Sequence, residues 1–228
     1  WIKKERLDYL MEKRAWEVNY GHRTLKDNPI LDETMIESLS GSYPKGSVFY
    51  KNLILGEWVT AEGLIYTLSE DKNKLMSYDP IDYYQYVVVA DPGVNHSATV
   101  FKLVAITREF KYIDTLKEYY HKNADNTNLG IKMPIDYAKD FLVFIKECIE
   151  IMKKPPRDVL VDLDITFIRE FERLKYEYSL GGININKSFK KEEIRHRIKN
   201  DINLFHLGRK RIYKDCPYTW ESYETAQY

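Results

Sequence analysis

The sequence has few of the features that would place it in a specialised class. Its 228 residues include two cysteines, Cys148 and Cys216, which are too few for a disulfide scaffold or a zinc ribbon. No stretch approaches the roughly 18 apolar residues of a membrane-spanning helix, and the N-terminal residues do not form a signal peptide. The 10 glycines and 8 prolines exclude a fibrous or low-complexity chain. We therefore expect a folded protein of a reducing compartment that is neither secreted nor inserted in a membrane.

Several catalytic signatures are also missing. The five histidines include no His-x-x-x-His pair, and the sequence contains no Gly-x-Ser-x-Gly nucleophile elbow. Gly41–Gly46 has the glycine spacing of a phosphate-binding loop, but Ser47 stands where that loop needs a lysine, and no strand leads into it. These absences argue against a zinc peptidase, a serine hydrolase and a nucleotide-hydrolysing motor within these residues.

The net charge of zero conceals an uneven distribution. The chain has 35 basic and 35 acidic residues, but Lys187–Lys214 holds ten basic residues against three acidic ones. A helical stripe and a following loop are predicted to carry most of this charge, namely Lys191, Arg195 and Lys199, then Arg209, Lys210 and Arg211. Such a run is either a solvated helix face or a surface that contacts the phosphate backbone of a nucleic acid.

Hydrophobic periodicity predicts an α/β domain behind a charged, aromatic N-terminal region. In that region we expect short helices around 3–17 and 32–40, and from Gly56 onward alternating stretches such as Gly63–Leu68 indicate strands. The following order is β-β-β-α-β-α-β-α, with the first three strands antiparallel. The predicted strands cover 86–91, 97–106, 110–120, 158–162 and 183–185. The predicted helices cover 135–153, 165–178 and 189–204, the last burying Ile194, Ile198 and Ile202.

Two of the most hydrophobic strands end on an aspartate, Asp91 and Asp162. Many such residues begin turns, but a strand end can also present a carboxylate in a cleft. Paired carboxylates repel each other unless a cation lies between them, and their oxygens suit Mg²⁺ or Mn²⁺. This pair fits two-metal phosphodiester hydrolysis, with Asp164 as a competitor for the second position. Two divalent ions require a third acid, for which the candidates are Asp201, Asp215, Glu221 and Glu224.

Five short motifs follow one another along the chain. They are Asp27–Pro29 with Leu31, Leu55–Trp58, Ala61–Tyr66, Val89–Gly93 and Leu160–Asp162. In this order they resemble the nuclease half of the large terminase subunit of tailed bacteriophages. The resemblance covers nearly the whole chain and implies an α/β fold of the RNase H-like type, a mixed β-sheet flanked by α-helices. It divides the chain into a helical or extended linker, 1–57, that follows an ATPase motor, and a nuclease domain, 58–228, with an incomplete C-terminal end.

The same resemblance implies a site and a function. Asp91 and Asp162 correspond to the first two ligands of a two-ion Mg²⁺ or Mn²⁺ site. The third ligand is expected after Tyr228, because Glu224–Tyr228 matches the start of the segment that precedes it. The implied activity is cleavage of concatemeric double-stranded DNA for viral packaging, in the cytoplasm of the infected bacterium. The implied partners are the small terminase subunit and the portal, ATP is bound only by the motor, and no membrane is involved. The basic stripe and loop would then hold the DNA backbone.

Two other interpretations stay open. A junction resolvase or a transposase with an RNase H-like fold would share the carboxylates. Alternatively, the chain is a non-catalytic module in which Asp91 and Asp162 are turn residues and the basic stripe binds DNA or an acidic protein. A change of thermal stability on adding a divalent ion would separate a nuclease from such a module.

Overall fold

The computed structural model describes residues 21–57, 64–93, 97–125, 131–162, 164–187 and 193–227. The chain divides into two units, one formed by Trp1–Ile65 with Gln227–Tyr228 and the other by Tyr66–Ala226. The boundary that the sequence predicts, after residue 57, stays a prediction.

The first unit contains two short α-helices within the described residues, α1 (Glu33–Gly41) and α2 (Val48–Leu53). Asp32 caps α1 by accepting a 2.7 Å hydrogen bond from the amide of Met35, and Ser47 caps α2 in the same way. Side-chain acceptors at this position satisfy amides that have no partner within the helix. The structure thus has the helix that is predicted around 32–40, whereas the helix predicted around 3–17 lies outside the described residues.

The second unit alternates strands and helices. Its strands are β1 (Lys74–Leu75), β2 (Tyr83–Asp91), β3 (Thr99–Thr107), β4 (Ile113–His121), β5 (Asp158–Val161), β6 (Ile185–Lys187) and β7 (Lys210–Tyr213). Its helices are α3 (Glu70–Asn73), α4 (Pro134–Met152), α5 (Ile165–Leu174), α6 (Ile194–His206) and α7 (Pro217–Glu224). Among the described helices, none combines the length and the apolar character that a membrane span requires.

In the described part of the chain, the strands form one mixed sheet of seven, in the spatial order β1-β7-β4-β3-β2-β5-β6. The pairs β2–β3 and β3–β4 are antiparallel, as their hairpin spacing predicts. β5 and β6 extend the sheet in parallel on one side, and β7 and β1 extend it in parallel on the other. Parallel neighbours need a long crossover connection. α4 lies on the connection between β4 and β5, and α5 lies on the connection between β5 and β6.

The main core lies between one face of the sheet and helices α4 and α5. On β2 the even-numbered residues from Tyr86 to Ala90 are buried in this core, so the pleat turns the odd-numbered ones, ending with Asp91, to the opposite face. Phe101 of β3 is fully buried at its centre, stacked on Tyr119 at 4.5 Å between ring centroids and packed against Phe141 of α4. Buried aromatic rings of this size dominate core energetics.

Three details of the sequence prediction are wrong. Residues 64–68 do not form a strand. Ile194 is exposed at the start of α6 and Ile198 is half-buried, whereas Ile202 is buried as predicted, together with Phe205. The basic tripeptide from Arg209 does not lie in a loop, since β7 begins at Lys210. β7 is formed by pairing with β4 and β1, which are both distant from it in sequence. No local alternation of apolar residues therefore identifies it.

A buried ion pair joins β7 to the centre of the sheet. Asp114 of β4 is fully buried and accepts hydrogen bonds from Arg211 Nε at 2.8 Å and Nη2 at 2.7 Å. The Tyr83 hydroxyl donates a third, at 2.8 Å, and burial followed by the charge of Asp114 raises the pKa of Tyr83, so it remains a donor. The guanidinium also lies 3.7 Å from the ring centroid of Tyr112. Strands β2, β4 and β7 are therefore tied together through a single carboxylate.

We expect Asp114→Ala to lower the free energy of unfolding by about 3–5 kcal/mol, because Arg211 and Tyr83 lose their buried acceptor. Urea-induced unfolding followed by circular dichroism measures this change. Asp215→Ala, at an exposed position of the same unit, is the matched control and should change it by less than about 0.5 kcal/mol. Equal unfolding midpoints for the two variants would contradict the assignment.

Candidate active site

The parallel pairing of β2 and β5 brings the two predicted aspartates together. Val87 pairs with Asp158, and the register continues to Ala90 and Val161, the residues just before Asp91 and Asp162. The amide of Asp162 donates a 3.0 Å hydrogen bond to the carbonyl of Ala90, which extends the register by one step. Asp91 and Asp162 therefore lie side by side at the same edge of the sheet.

Both aspartates also belong to the same face. Val159 and Val161 of β5 are buried in the main core, so alternation turns the side chain of Asp162 to the opposite face. Asp91 lies on that face as well and is exposed. Because neighbouring strands are about 4.8 Å apart, two carboxylates in this arrangement are close enough to share a cation.

The backbone just after Asp91 lies close to the start of β3. The amide of Gly93 donates a 3.0 Å hydrogen bond to the hydroxyl of Thr99, the first residue of β3. A Cβ atom at position 93 would lie 2.4 Å from the carbonyl oxygens of Ser97 and Ala98, a distance that no side chain tolerates. Glycine is therefore required here, and this close approach of backbone to backbone fixes the end of β2 that carries Asp91.

Asp164, the competitor for the second position, has another role. It is the N-cap residue of α5, and its Oδ1 atom accepts a 2.9 Å hydrogen bond from the amide of Phe167. Phe167 is buried in the main core, so the cap fixes the start of a helix that the core needs. This arrangement favours Asp162 over Asp164 as the partner of Asp91.

No third acidic residue joins the pair among the described residues, which contain no group of three or more His, Cys, Asp or Glu side chains able to hold one metal ion. Of the candidates from the sequence, Asp201 lies 2.8 Å from Lys210 Nζ in an ion pair. The others, Asp215, Glu221 and Glu224, are exposed on or just before α7.

Two polar residues in the middle of the same face are not predicted from the sequence. Lys102 of β3 pairs with Val89 and with Glu118 of β4. Glu118 accepts hydrogen bonds from the amides of Tyr218 and Thr219, at 2.9 and 2.7 Å, and so caps the start of α7. Burial lowers the pKa of Lys102. The sequence feature that could have indicated Lys102 is its position as a charged residue inside the otherwise apolar strand β3.

The basic residues that the sequence groups together separate in the structure. Arg195 of α6 and Arg209, just before β7, are exposed, and Lys199 of α6 is half-buried. Lys191 lies outside the described residues. Arg195 and Lys199 are one turn apart on the helix, so the predicted stripe is present for these two residues.

Lys210 and Arg211 point into the protein. The Lys210 ammonium lies 2.8 Å from Asp201 and 2.8 Å from the hydroxyl of Tyr223. Burial by itself would lower the pKa of Lys210, but Tyr223 and Asp201 outweigh it and raise the pKa. Arg211 is bound to Asp114, as described above. Both cations are neutralised within the fold, so they contribute little to an external basic surface.

The mixed sheet, flanked by helices and with aspartates ending two neighbouring strands, is an RNase H-like α/β fold, as predicted. Neither a protein-family model nor a curated protein matches the chain. Among solved structures, it is similar to a large terminase from a thermophilic bacteriophage, called the thermophilic-phage terminase below. The two are 27% identical with a TM-score of 0.75, and the match covers 99% of this chain and 50% of the other.

Two further large terminase structures are also similar to this chain. The thermophilic-phage terminase in complex with ATP-γ-S is 25% identical, with a TM-score of 0.74, over 97% of this chain and 51% of that one. The nuclease domain of the P22 large terminase shares the fold alone, at 10% identity and a TM-score of 0.53, over 73% of this chain and 80% of that one. The resemblance to large terminases is thus confirmed, and the chain spans about half the length of the thermophilic-phage terminase.

We expect Asp164→Ala to lower the free energy of unfolding by about 1 kcal/mol, because α5 loses its N-cap. Asn caps helices about as well as Asp, so Asp164→Asn should unfold at nearly the same urea concentration as the unmodified protein. If Asp164→Asn lowers the free energy of unfolding as much as Asp164→Ala does, the charge of Asp164 stabilises the helix, and its hydrogen bond to Phe167 does not.

Proposed function

We propose that this chain is the nuclease part of a viral large terminase subunit and that it cleaves concatemeric double-stranded DNA by metal-dependent hydrolysis. The observation that supports this most directly is the parallel register of β2 and β5, which sets Asp91 beside Asp162 at the same end of the two strands. The similarity of nearly the whole chain to the thermophilic-phage terminase gives this pair its context.

The two carboxylates fit a divalent metal ion. Two neighbouring anions repel each other, and a hard cation such as Mg²⁺ or Mn²⁺ removes that repulsion through the oxygen ligands it prefers. Asp91 and Asp162 would hold such ions. When bound, a pair of ions makes water a stronger nucleophile and stabilises the leaving oxygen of a phosphodiester. A two-ion site also needs a further acid, which we place outside the described residues.

The protein itself would position the reacting groups. The Ala90 carbonyl and the close backbone approach at Gly93 hold the ends of β5 and β2, so the two carboxylates would meet the scissile phosphate from a rigid edge. Since both are anions, they cannot bind the DNA strand themselves. Affinity for DNA must come from basic residues elsewhere on the surface.

We assign that role to Arg195, Lys199 and Arg209, with Lys191 as an additional member predicted from the sequence alone. Cations of this kind contact phosphate oxygens without reading sequence. We leave out Lys210 and Arg211, because their charges already pair with Asp201 and Asp114. The DNA-binding surface is therefore smaller than the sequence indicates.

The wider assembly follows from the same proposal. Residues 1–57 would link this nuclease to an ATPase motor in the other half of the full-length protein, as the ATP-γ-S complex of the thermophilic-phage terminase suggests. The double-stranded DNA substrate, the small terminase subunit and the portal would be its partners, in the cytoplasm of an infected bacterium.

We expect Asp91→Asn and Asp162→Asn each to lower Mn²⁺-dependent plasmid cleavage by at least about 100-fold, the scale on which loss of a charge-stabilising group lowers kcat. Each variant removes one anionic ligand and keeps the shape of the side chain. Plasmid nicking on agarose gels measures the rate, and circular dichroism shows that the fold is retained.

Asp164→Asn is the matched control for that experiment, because it keeps the cap of α5 and should cut normally. Inactivity of Asp164→Asn together with full activity of Asp162→Asn would move the second ligand to Asp164. Undiminished cutting by Asp91→Asn would refute the nuclease site. If Mn²⁺ also fails to change the thermal stability of the unmodified protein, a non-catalytic binding module is the correct interpretation.

We expect Arg195→Gln and Lys199→Gln each to reduce the slope of log K for DNA binding against log salt concentration by about 1, because each removes one phosphate contact. Fluorescence anisotropy with a labelled duplex, in Ca²⁺ buffer at several salt concentrations, measures the slope. The control is Lys139→Gln, a substitution at an exposed position of α4, the helix that packs on the core face of the sheet. If Lys139→Gln reduces this slope as much as the other two substitutions do, DNA binding is not localised to α6.

A further inference from the structure

A pair of stacked tyrosines, of which Tyr218 is exposed and Tyr120 is half-buried, lies on the same face of the sheet as the two aspartates. The rings of Tyr120 and Tyr218 are 4.2 Å apart between centroids and 9° from parallel. Tyr218 is 51% exposed, so one face of its ring covers Tyr120 and much of the rest meets solvent. Aromatic rings of this size normally contribute most when they are buried.

The sheet register places this pair in the same row as Asp91. Asp91 pairs with Val100, and Val100 pairs with Tyr120. Tyr120 therefore stands two strands from Asp91 on the same face, since directly paired residues share a face. Two strand spacings amount to about 10 Å. Along one DNA strand, where successive charges are about 3.4 Å apart along the axis, this is a reach of roughly three nucleotides.

The position of Tyr218 is fixed by the backbone that carries it. Its amide and that of Thr219 both bind the carboxylate of Glu118, on the strand that also carries Tyr120. These bonds fix the backbone at Tyr218, and stacking on Tyr120 positions its ring above the sheet. A ring that is rigid before it binds loses little conformational entropy when a second ring stacks on it.

We propose that the exposed face of Tyr218 is a stacking platform for a nucleobase of the DNA strand that is cut at Asp91 and Asp162. This inference rests on the proposed nuclease function and specifies which part of the substrate touches this site. Stacking on tyrosine accepts every base, because each base has a π-face, so the platform positions the strand without reading its sequence.

The state of the DNA follows from the same geometry. A base inside an intact duplex already has a neighbour on both faces, and only an unstacked base can lie on Tyr218. The platform therefore binds an unpaired base close to the cut, as in a frayed, nicked or newly formed end. DNA with an unpaired end should bind more tightly than a blunt duplex of equal length.

The experiment uses duplexes with a single-stranded 3′ end in which 5-iodouracil replaces one thymine at successive positions. Irradiation in Ca²⁺ buffer cross-links iodouracil to an aromatic ring that stacks on it, and mass spectrometry identifies the peptide. We expect cross-linking at Tyr218 from one or two adjacent positions. Cross-links that map only to other residues would overturn the proposal.

Affinity is measured in parallel by fluorescence anisotropy. We expect Tyr218→Ala to weaken binding of the overhang duplex by about 5- to 100-fold, in line with the loss of one base–aromatic stack, while binding of the blunt duplex changes less than about twofold. Tyr218→Phe should bind normally because it keeps the ring. Tyr176→Ala, at another highly exposed tyrosine, is the control. Tyr218→Leu covers Tyr120 without a π-system, so if it binds like the unmodified protein, the ring is not a platform.

These measurements do not require cleavage, so they separate this inference from the function on which it rests. If Asp91→Asn cuts normally but Tyr218 still cross-links, the nuclease site is wrong and the stacking site stands. If Asp91→Asn is inactive and Tyr218→Ala binds both duplexes normally, the nuclease stands and the platform is wrong.

Discussion

The parallel alignment of β2 with β5 is the constraint on which the rest of this structure depends. A shift of one residue would turn Asp162 into the main core and Val161 out of it. Helix α4 prevents such a shift, because it lies on the connection between β4 and β5 and buries a continuous apolar stripe against the sheet. The geometry of two carboxylates on one face is thus maintained by apolar packing on the opposite face. The residues that stabilise the fold and the residues of the proposed site therefore lie on opposite faces of the same strands.

The basic residues of this chain, whose net charge is zero, serve two different purposes in the structure. Its most basic stretch divides between the surface and the interior, because Arg195 and Arg209 face solvent whereas Lys210 and Arg211 have carboxylate partners within the fold. Part of the positive charge therefore holds β7 to α6, α7 and β4, through Asp201, the hydroxyl of Tyr223 and Asp114, respectively. A charge count along the sequence cannot separate these two uses.

Local patterns were sufficient to predict the central strands, the helices α4 and α5, and the two strand-end aspartates. Tyr86–Asp91 and the stripe of α4 carry their periodicity within a single element. The remaining features depend on residues far apart in sequence. Arg211 meets Asp114 across 97 residues, and Glu118 meets the start of α7 across 100. The cap by Asp164 was open to prediction, since an acidic residue directly before an apolar helix is a common N-cap, but its position two residues after Asp162 made it a competitor for the second ligand.

The link between Asp114 and Arg211 also has a consequence for synthesis on the ribosome. The hairpins of β2, β3 and β4 can pair as soon as they emerge, but the cation that neutralises Asp114 follows 97 residues later. At about 5–20 residues per second, this interval is roughly 5 to 20 s. Throughout it, a carboxylate destined for the interior must stay hydrated, and the edge of β4 that β7 will cover stays open. The nascent chain therefore completes this side of its sheet last, when the segment that carries α6 and β7 has been made.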